Sequence, residues 1–155
     1  MTTPLFDRVA LIGIGLIGSS IARVMRRDGL AGTIVACART DETLNTVRAL
    51  GIADETTKDP AEAARNADLV MICTPISTYG AIAAAIAPAL KPGAIVTDVG
   101  SVKRAAIEAI KPHLPAGVHL VPGHPVAGTE HSGPEAGFAD LFENHWAILT
   151  PEPGT

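Results

Sequence analysis

Short, uncharged apolar runs alternate along this chain with longer stretches whose apolar positions recur at helical spacing. Val9-Ala10-Leu11-Ile12 breaks into glycines at Gly13, Gly15 and Gly18, then resumes as a helical pattern through Ile21, Ala22, Val24 and Met25. That order reads as strand, turn, helix. Thr33–Cys37 is a second, β-branched strand, and Leu44, Val47 and Leu50 mark a helix closed by Gly51. Asp59-Pro60 opens a short helix over 61–67, and an apolar strand over 68–73 stops at Thr74-Pro75. A helix over 78–87 then runs to Pro88, which ends it. Ala94–Asp98 is a strand, and Ala105, Ile107, Ala109 and Ile110 lie on a helix closed by Pro112 and Pro115. Val118–Val121 is the last strand of the series, residues 122–130 read as a loop, Pro134–Ala136 as loop or a helical turn, and Trp146–Leu149 as a final strand.

Strands and helices alternating in this way predict an α/β fold, a Rossmann-type, doubly wound and mostly parallel sheet. The expected boundaries are one domain over 1–150, with 151–155 as the start of a linker. Composition fits: 47% of the 155 residues are apolar but only 3% aromatic, so the core must be built from Ala, Val, Ile and Leu. A net charge of −4 gives no electrostatic footprint for nucleic acid or an anionic membrane surface. Basic residues are scattered, apart from Arg23, Arg26 and Arg27 on the first helix. The tract 81–90 is too short to span a bilayer, and Met1-Thr2-Thr3-Pro4 lacks the basic and apolar regions of an export signal. The expected location is the cytoplasm, with Cys37 and Cys73 reduced and buried.

The glycine turn carries the first functional signal. Gly13 permits the tight turn, Gly15 lets backbone approach a pyrophosphate, and Gly18 lets helix pack closely on strand, with Leu16 and Ile17 in the helix's first turn. About twenty residues on, where an acid would take the ribose hydroxyls of NAD, stands Ala38, followed by Arg39 and Thr40. A guanidinium there suits a 2′-phosphate, which favours NADP and leaves NAD as the alternative. The competing reading is that Asp41 caps the next helix and Arg39 is merely solvated.

Ligands of an open parallel sheet bind outside the carboxyl ends of its strands. Gly13, Arg39, Thr74-Pro75, Gly100-Ser101 and His124 each follow a strand and should converge on one rim. Ser101 is expected near the start of its helix, as a capping hydroxyl or as a donor to substrate or nicotinamide. Lys103 could meet a carboxylate or simply be solvated. His124, between Gly123 and Pro125, is the best general base: imidazole can take a proton from a hydroxyl whose carbon loses hydride. His113, His119, His131 and His145 look ordinary. Other chemistries fail on spacing. Ser101, His124 and Asp98 lack the Gly-x-Ser-x-Gly elbow, no metal-ligand spacing is present, and the glycine turn lacks a P-loop ending.

Gly13–Ser20, Thr97–Lys103 and, most specifically, GHPVAGTEHSGPEAGF at Gly123–Phe138 resemble the prephenate dehydrogenase family, which includes arogenate and cyclohexadienyl dehydrogenases of tyrosine biosynthesis. The resemblance covers essentially the whole chain. It implies NAD(P)-dependent oxidative decarboxylation of prephenate or arogenate. It also implies that His124 is the catalytic histidine bonded to the substrate's ring hydroxyl, Ser101 an active-site serine, Glu130 an acid near the substrate's side-chain end, and Lys103 a substrate-side lysine of less defined duty. Members continue into a helical, dimerising domain absent from this sequence, so the chain is expected to be the cofactor-binding half, binding dinucleotide but turning over poorly, with a homodimer only when that domain is present. The alternatives are another hydroxy-acid dehydrogenase of the hydroxyisobutyrate type and a non-catalytic dinucleotide-binding module.

Overall fold

A computed structural model describes residues 3–155; Met1 and Thr2, the start of the stretch read for an export signal, lie outside the described residues. The strands of the main sheet are β1 (Phe6–Ile12), β2 (Ala31–Cys37), β3 (Glu55–Thr57), β4 (Leu69–Ile72), β5 (Ile95–Asp98) and β6 (His119–Leu120). Their spatial order is β3-β2-β1-β4-β5-β6, and every pairing is parallel. Between them run α1 (Leu16–Arg27), α2 (Asp41–Leu50), α3 (Pro60–Ala64), α4 (Tyr79–Ile86) and α5 (Lys103–Ile110). The chain winds outward from β1 in one direction and then, from β4, in the other, so the order reverses between β1 and β4.

Alternation along β1 shows why both faces need covering. Val9 and Leu11 join Ala22 and Met25 of α1 and Val47 of α2 in one core, whereas Ala10 and Ile12 join Ala63 of α3, Ala83 and Ile86 of α4 and Ile110 of α5 in the other. Side chains this small let helices sit close to the sheet. Among the described residues no helix is long and apolar enough to cross a membrane.

Element ends follow local chemistry, and several differ from the expectations above. Thr40, not Asp41, caps α2: its hydroxyl accepts from the Thr43 amide at 3.2 Å, while the Asp41 carboxylate pairs with Lys58. Gly51 closes that helix at φ 66°, in the left-handed region open to glycine. The short α3 ends at Ala64 rather than continuing to 67, because Arg65 turns extended and Asn66 takes φ 60°. Pro88 lies inside a 3₁₀ turn, Ala87–Ala89, that prolongs α4, and another, Ile76–Thr78, precedes it. Strand β3 is absent from the elements expected above: Glu-Thr-Thr has no apolar run, and only the free edge of β2 makes it a strand. So is β7 (Gly123–Pro125), which lies in the expected loop and pairs antiparallel with β8 (Ala147–Leu149) as a small separate sheet. Pro134–Ala136 forms a 3₁₀ turn.

Candidate functional site

Register brings the strand ends into line. Ile12 of β1 is level with Cys37 of β2 and with Ile72 of β4, and Ile72 is level with Asp98 of β5. The residues that follow form one carboxyl rim: Gly13, Ala38-Arg39, Cys73-Thr74 and Val99-Gly100-Ser101. β6 runs parallel beside β5, and the Gly123 amide, just beyond it, donates to the Asp98 carboxylate at 3.2 Å. His124 is therefore on the same lip as the glycine turn, beyond β6 and so three strand spacings from β1, about 14 Å along the sheet.

At the reversal point the turn is made by close approach. Gly13 has φ 97°, and a Cβ there would lie 2.8 Å from the Thr74 methyl and 3.0 Å from the Cys73 carbonyl carbon. A Cβ on Gly18 would stand 2.2 Å from the Gly13 carbonyl oxygen, so only glycine lets α1 meet the end of β1. Gly15, by contrast, has nothing within 4 Å of its would-be Cβ. The space above it is open, as a pyrophosphate needs. The amides of Leu16, Ile17 and Gly18 lie in the first turn of α1, where no earlier helical carbonyl can receive them, and the positive end of the helix faces the same space. The residues present thus fit a dinucleotide phosphate with no cationic side chain in the turn.

The remaining candidates are placed as follows. Arg39 is exposed and has no ion-pair partner among the described residues, since the nearby Asp41 is taken by Lys58. Thr40 is committed to the α2 cap. Thr74 Oγ1 lies 2.7 Å from Thr78 Oγ1, fixing the turn after β4, and Pro75 is exposed there. Ser101 is exposed and does not cap α5; the cap position belongs to Val102, which supplies no side-chain bond, so the hydroxyl is free of that duty. Half-buried His124 sits in β7 opposite Ile148, and its ring makes no hydrogen bond among the described residues. Glu130 is exposed and lies 3.3 Å from the His131 ring. Lys103 is not a solvated lysine: its ammonium donates to Asp98 Oδ2 and to the Gly123 carbonyl, each at 2.5 Å.

Sequence reasoning missed the groups that hold this rim in place. Asp98 is 1% exposed, and its carboxylate accepts from the amides of Gly100 and Gly123 as well as from Lys103. Tyr79 is wholly buried beside it, its hydroxyl without a hydrogen-bond partner among the described residues; burial and then the Asp98 charge push its phenol well above the usual range. Burial likewise raises the Cys73 thiol to about 12, with the Asp98 charge adding to it, which favours the neutral thiol. The clue in the sequence is an aspartate closing a mostly apolar strand, Ile95-Val96-Thr97-Asp98, with glycine two residues on. The arginines of α1 also proved to have partners. Arg23 donates to the Pro134 carbonyl at 3.1 Å, Ser20 Oγ accepts from the Phe138 amide at 3.1 Å, and Arg27 pairs with Asp140, all of which fasten the segment beyond His124 across α1.

A six-stranded parallel sheet with a bare helix N-terminus at its reversal point defines a Rossmann-type, doubly wound domain. Comparison with known proteins narrows this. Residues 21–155 match the family model for the prephenate dehydrogenase nucleotide-binding domain. The cyclohexadienyl dehydrogenase of Zymomonas mobilis is 45% identical over 150 residues, covering 97% of this chain and 51% of that protein. The crystal structure of Aquifex aeolicus prephenate dehydrogenase in complex with hydroxyphenyl propionate and NAD+ superposes with a TM-score of 0.86 at 34% identity, covering 100% of this chain and 53% of that one. Synechocystis arogenate dehydrogenase superposes with a TM-score of 0.85 at 32% identity, covering 94% and 50%. The chain belongs to the prephenate dehydrogenase family and spans about half the length of these relatives.

Proposed function

We propose that this chain is the cofactor-binding half of an NAD(P)-dependent dehydrogenase that converts prephenate, arogenate or both by oxidative decarboxylation. The observation that supports the reading is the register of the strand ends together with the Gly123–Asp98 hydrogen bond, which put the glycine turn and the residue before half-buried His124 on one rim. When bound, the dinucleotide would supply the acceptor for the hydride that leaves the ring carbinol carbon. His124, with no internal partner for its ring, is free to take the hydroxyl proton as that carbon becomes a carbonyl. Loss of the ring carboxylate as CO2 leaves its bond pair in the ring, and the oxygen regains a proton as the ring becomes a phenol. Ser101, released from capping, can donate to the substrate hydroxyl or the nicotinamide edge. Glu130, on the exposed turn beyond β7, is assigned to the substrate's side-chain end, and Lys103 acts from beneath the rim.

For the cofactor, an uncommitted Arg39 in place of an acid favours NADP. NAD is the second reading, supported by the commitment of Thr40 to its cap and by the NAD+ in the Aquifex relative. Arg39→Ala should weaken NADP by about tenfold and leave NAD unchanged, one phosphate contact being of order 1.4 kcal/mol; equal responses would undo the phosphate argument. The enzymatic reading is tested by His124→Ala in a version extended to the relatives' length. Turnover should fall about 10²–10⁴-fold with nucleotide binding retained. Unchanged turnover would remove His124 as the base.

A further inference from the structure

The four contacts made by Asp98 and Lys103 share a destination that stability alone does not require. Asp98 Oδ2 accepts from the Gly100 amide at 2.9 Å, and Oδ1 from the Gly123 amide at 3.2 Å. Lys103 closes the figure by bonding Asp98 and the Gly123 carbonyl. Gly100 and Gly123 come from different segments, one following β5 and the other following β6. Each immediately precedes an exposed or half-buried polar residue on the rim, Ser101 in one case and His124 in the other. Both the donor and the acceptor of Gly123 are thereby tied to the same pair.

The pair is also expensive to maintain. The side chains are 0% and 15% exposed, and a buried ion pair is often no more stabilising than apolar residues of the same volume. Asp98 is the one buried carboxylate among the described residues, in a core made mostly of Ala, Val, Ile and Leu, any of which could have closed β5. The surroundings are equally particular. A Cβ on Gly100 would stand 2.9 Å from the Tyr79 hydroxyl and 3.1 Å from Asp98 Oδ2, so the loop can close over the carboxylate only through glycine. Gly123 is similarly confined, its would-be Cβ 3.0 Å from the Asp98 carbonyl oxygen.

We propose that Asp98 and Lys103 are positioning residues that fix Ser101 and His124 relative to one another by gripping the backbone of the residue before each. The proposal rests on the reading of Ser101 and His124 as the groups that meet substrate. Neither Asp98 nor Lys103 touches substrate in this scheme. They hold the distance between two residues that do, from below the surface on which the reaction takes place.

The test uses the double variant D98N/K103M, which removes the ion pair without leaving a buried charge alone, and K103R as the conservative control. In the isotopically labelled chain, the amide signals of Ser101 and His124 and the His124 ring signal should shift and broaden in D98N/K103M. Those of the glycine turn should stay in place, and dinucleotide affinity should remain within about twofold. In the version extended to the relatives' length, kcat should fall by about 10²-fold with the nucleotide KM unchanged, as expected for a misplacement of order 1 Å. K103R should recover most of the loss. If the double variant fails to fold, G100A gives the same readout without a change of charge, since its methyl group displaces the carboxylate. Rim signals that stay in place in a folded variant, or an unaltered kcat, would overturn the proposal. Retained turnover in H124A together with displaced rim signals would leave the grip established and the assignment of the base refuted; lost turnover in H124A with immobile rim signals would refute the grip alone.

Discussion

At the reversal point between β1 and β4, an open turn is made by removing side chains; two strands away, at the end of β5, a second part of the same rim is made by burying charged ones. Gly13 and Gly18 work through what they lack, letting the Thr74 methyl and the Gly13 carbonyl approach to distances that any Cβ would forbid. Asp98 and Lys103 work through what they carry, a carboxylate and an ammonium that together tie down Gly100 and Gly123. The difference tracks the task of each region. A pyrophosphate is recognised by amides already fixed by a helix, and needs open space. The three-residue β7 that holds the histidine is paired only with the short β8, and the Gly123 amide and carbonyl at its start are held by side chains from beneath.

The largest effect should come from breaking the charged anchor on one side only. Lys103→Met leaves the Asp98 carboxylate buried without its cation and should cost about 3–5 kcal/mol in urea unfolding. A loss below 1 kcal/mol would show that water reaches the carboxylate and that the anchor is weaker than its burial implies.

Next comes a pair of substitutions within the glycine turn. Gly18→Ala puts a methyl group against backbone and should cost about 1–3 kcal/mol while abolishing dinucleotide binding. Gly15→Ala meets open space, so the unfolding midpoint should stay put while dinucleotide affinity falls about tenfold, because the methyl stands where pyrophosphate approaches. Equal stability losses in the two variants would mean that Gly15 also serves packing and that the space above it is not kept for a ligand.

A smaller effect is expected from pH. Burial raises the Cys37 and Cys73 thiols from 9.0 to about 12. A raised folded pKa means that the folded chain holds its proton longer than the unfolded one, so the stabilisation is complete below pH 9 and is lost as pH rises from there toward 12. Urea midpoints measured between pH 8 and 10.5 should fall with a slope that Cys37→Ala reduces. A slope unaffected by that change would place the alkaline sensitivity elsewhere.

The same contrast explains what could be read from the letters. Regular periodicity located β1, β2, β4 and β5 and their helices, because apolar alternation and glycine or proline stops are local signals. The glycine turn was legible for the same reason. Strand β3 was hidden, since Glu55-Thr56-Thr57 becomes a strand only through the waiting edge of β2. β7 was hidden too: Gly123-His124-Pro125 has the composition of a loop and is extended because Leu149, Ile148 and Ala147 pair with it. Lys103 and Asp98 stood in plain sight as a pair of charges five residues apart, yet their common partner, Gly123, lies 25 residues beyond the aspartate. No spacing rule connects them. Arg23 and Arg27 read as a basic cluster, and only folding shows that they hold Pro134 and Asp140.

If the proposed function holds, a dinucleotide lying on the glycine turn should reach His124 with its nicotinamide end. The most direct measurement follows the His124 ring signal while the chain is titrated in parallel with NADP+, NAD+ and the corresponding adenosine diphosphate fragments that lack nicotinamide. Every ligand should perturb the amides of Gly15–Gly18, and only the complete dinucleotides should move the His124 ring. A ring signal indifferent to a bound, complete dinucleotide would contradict that reading.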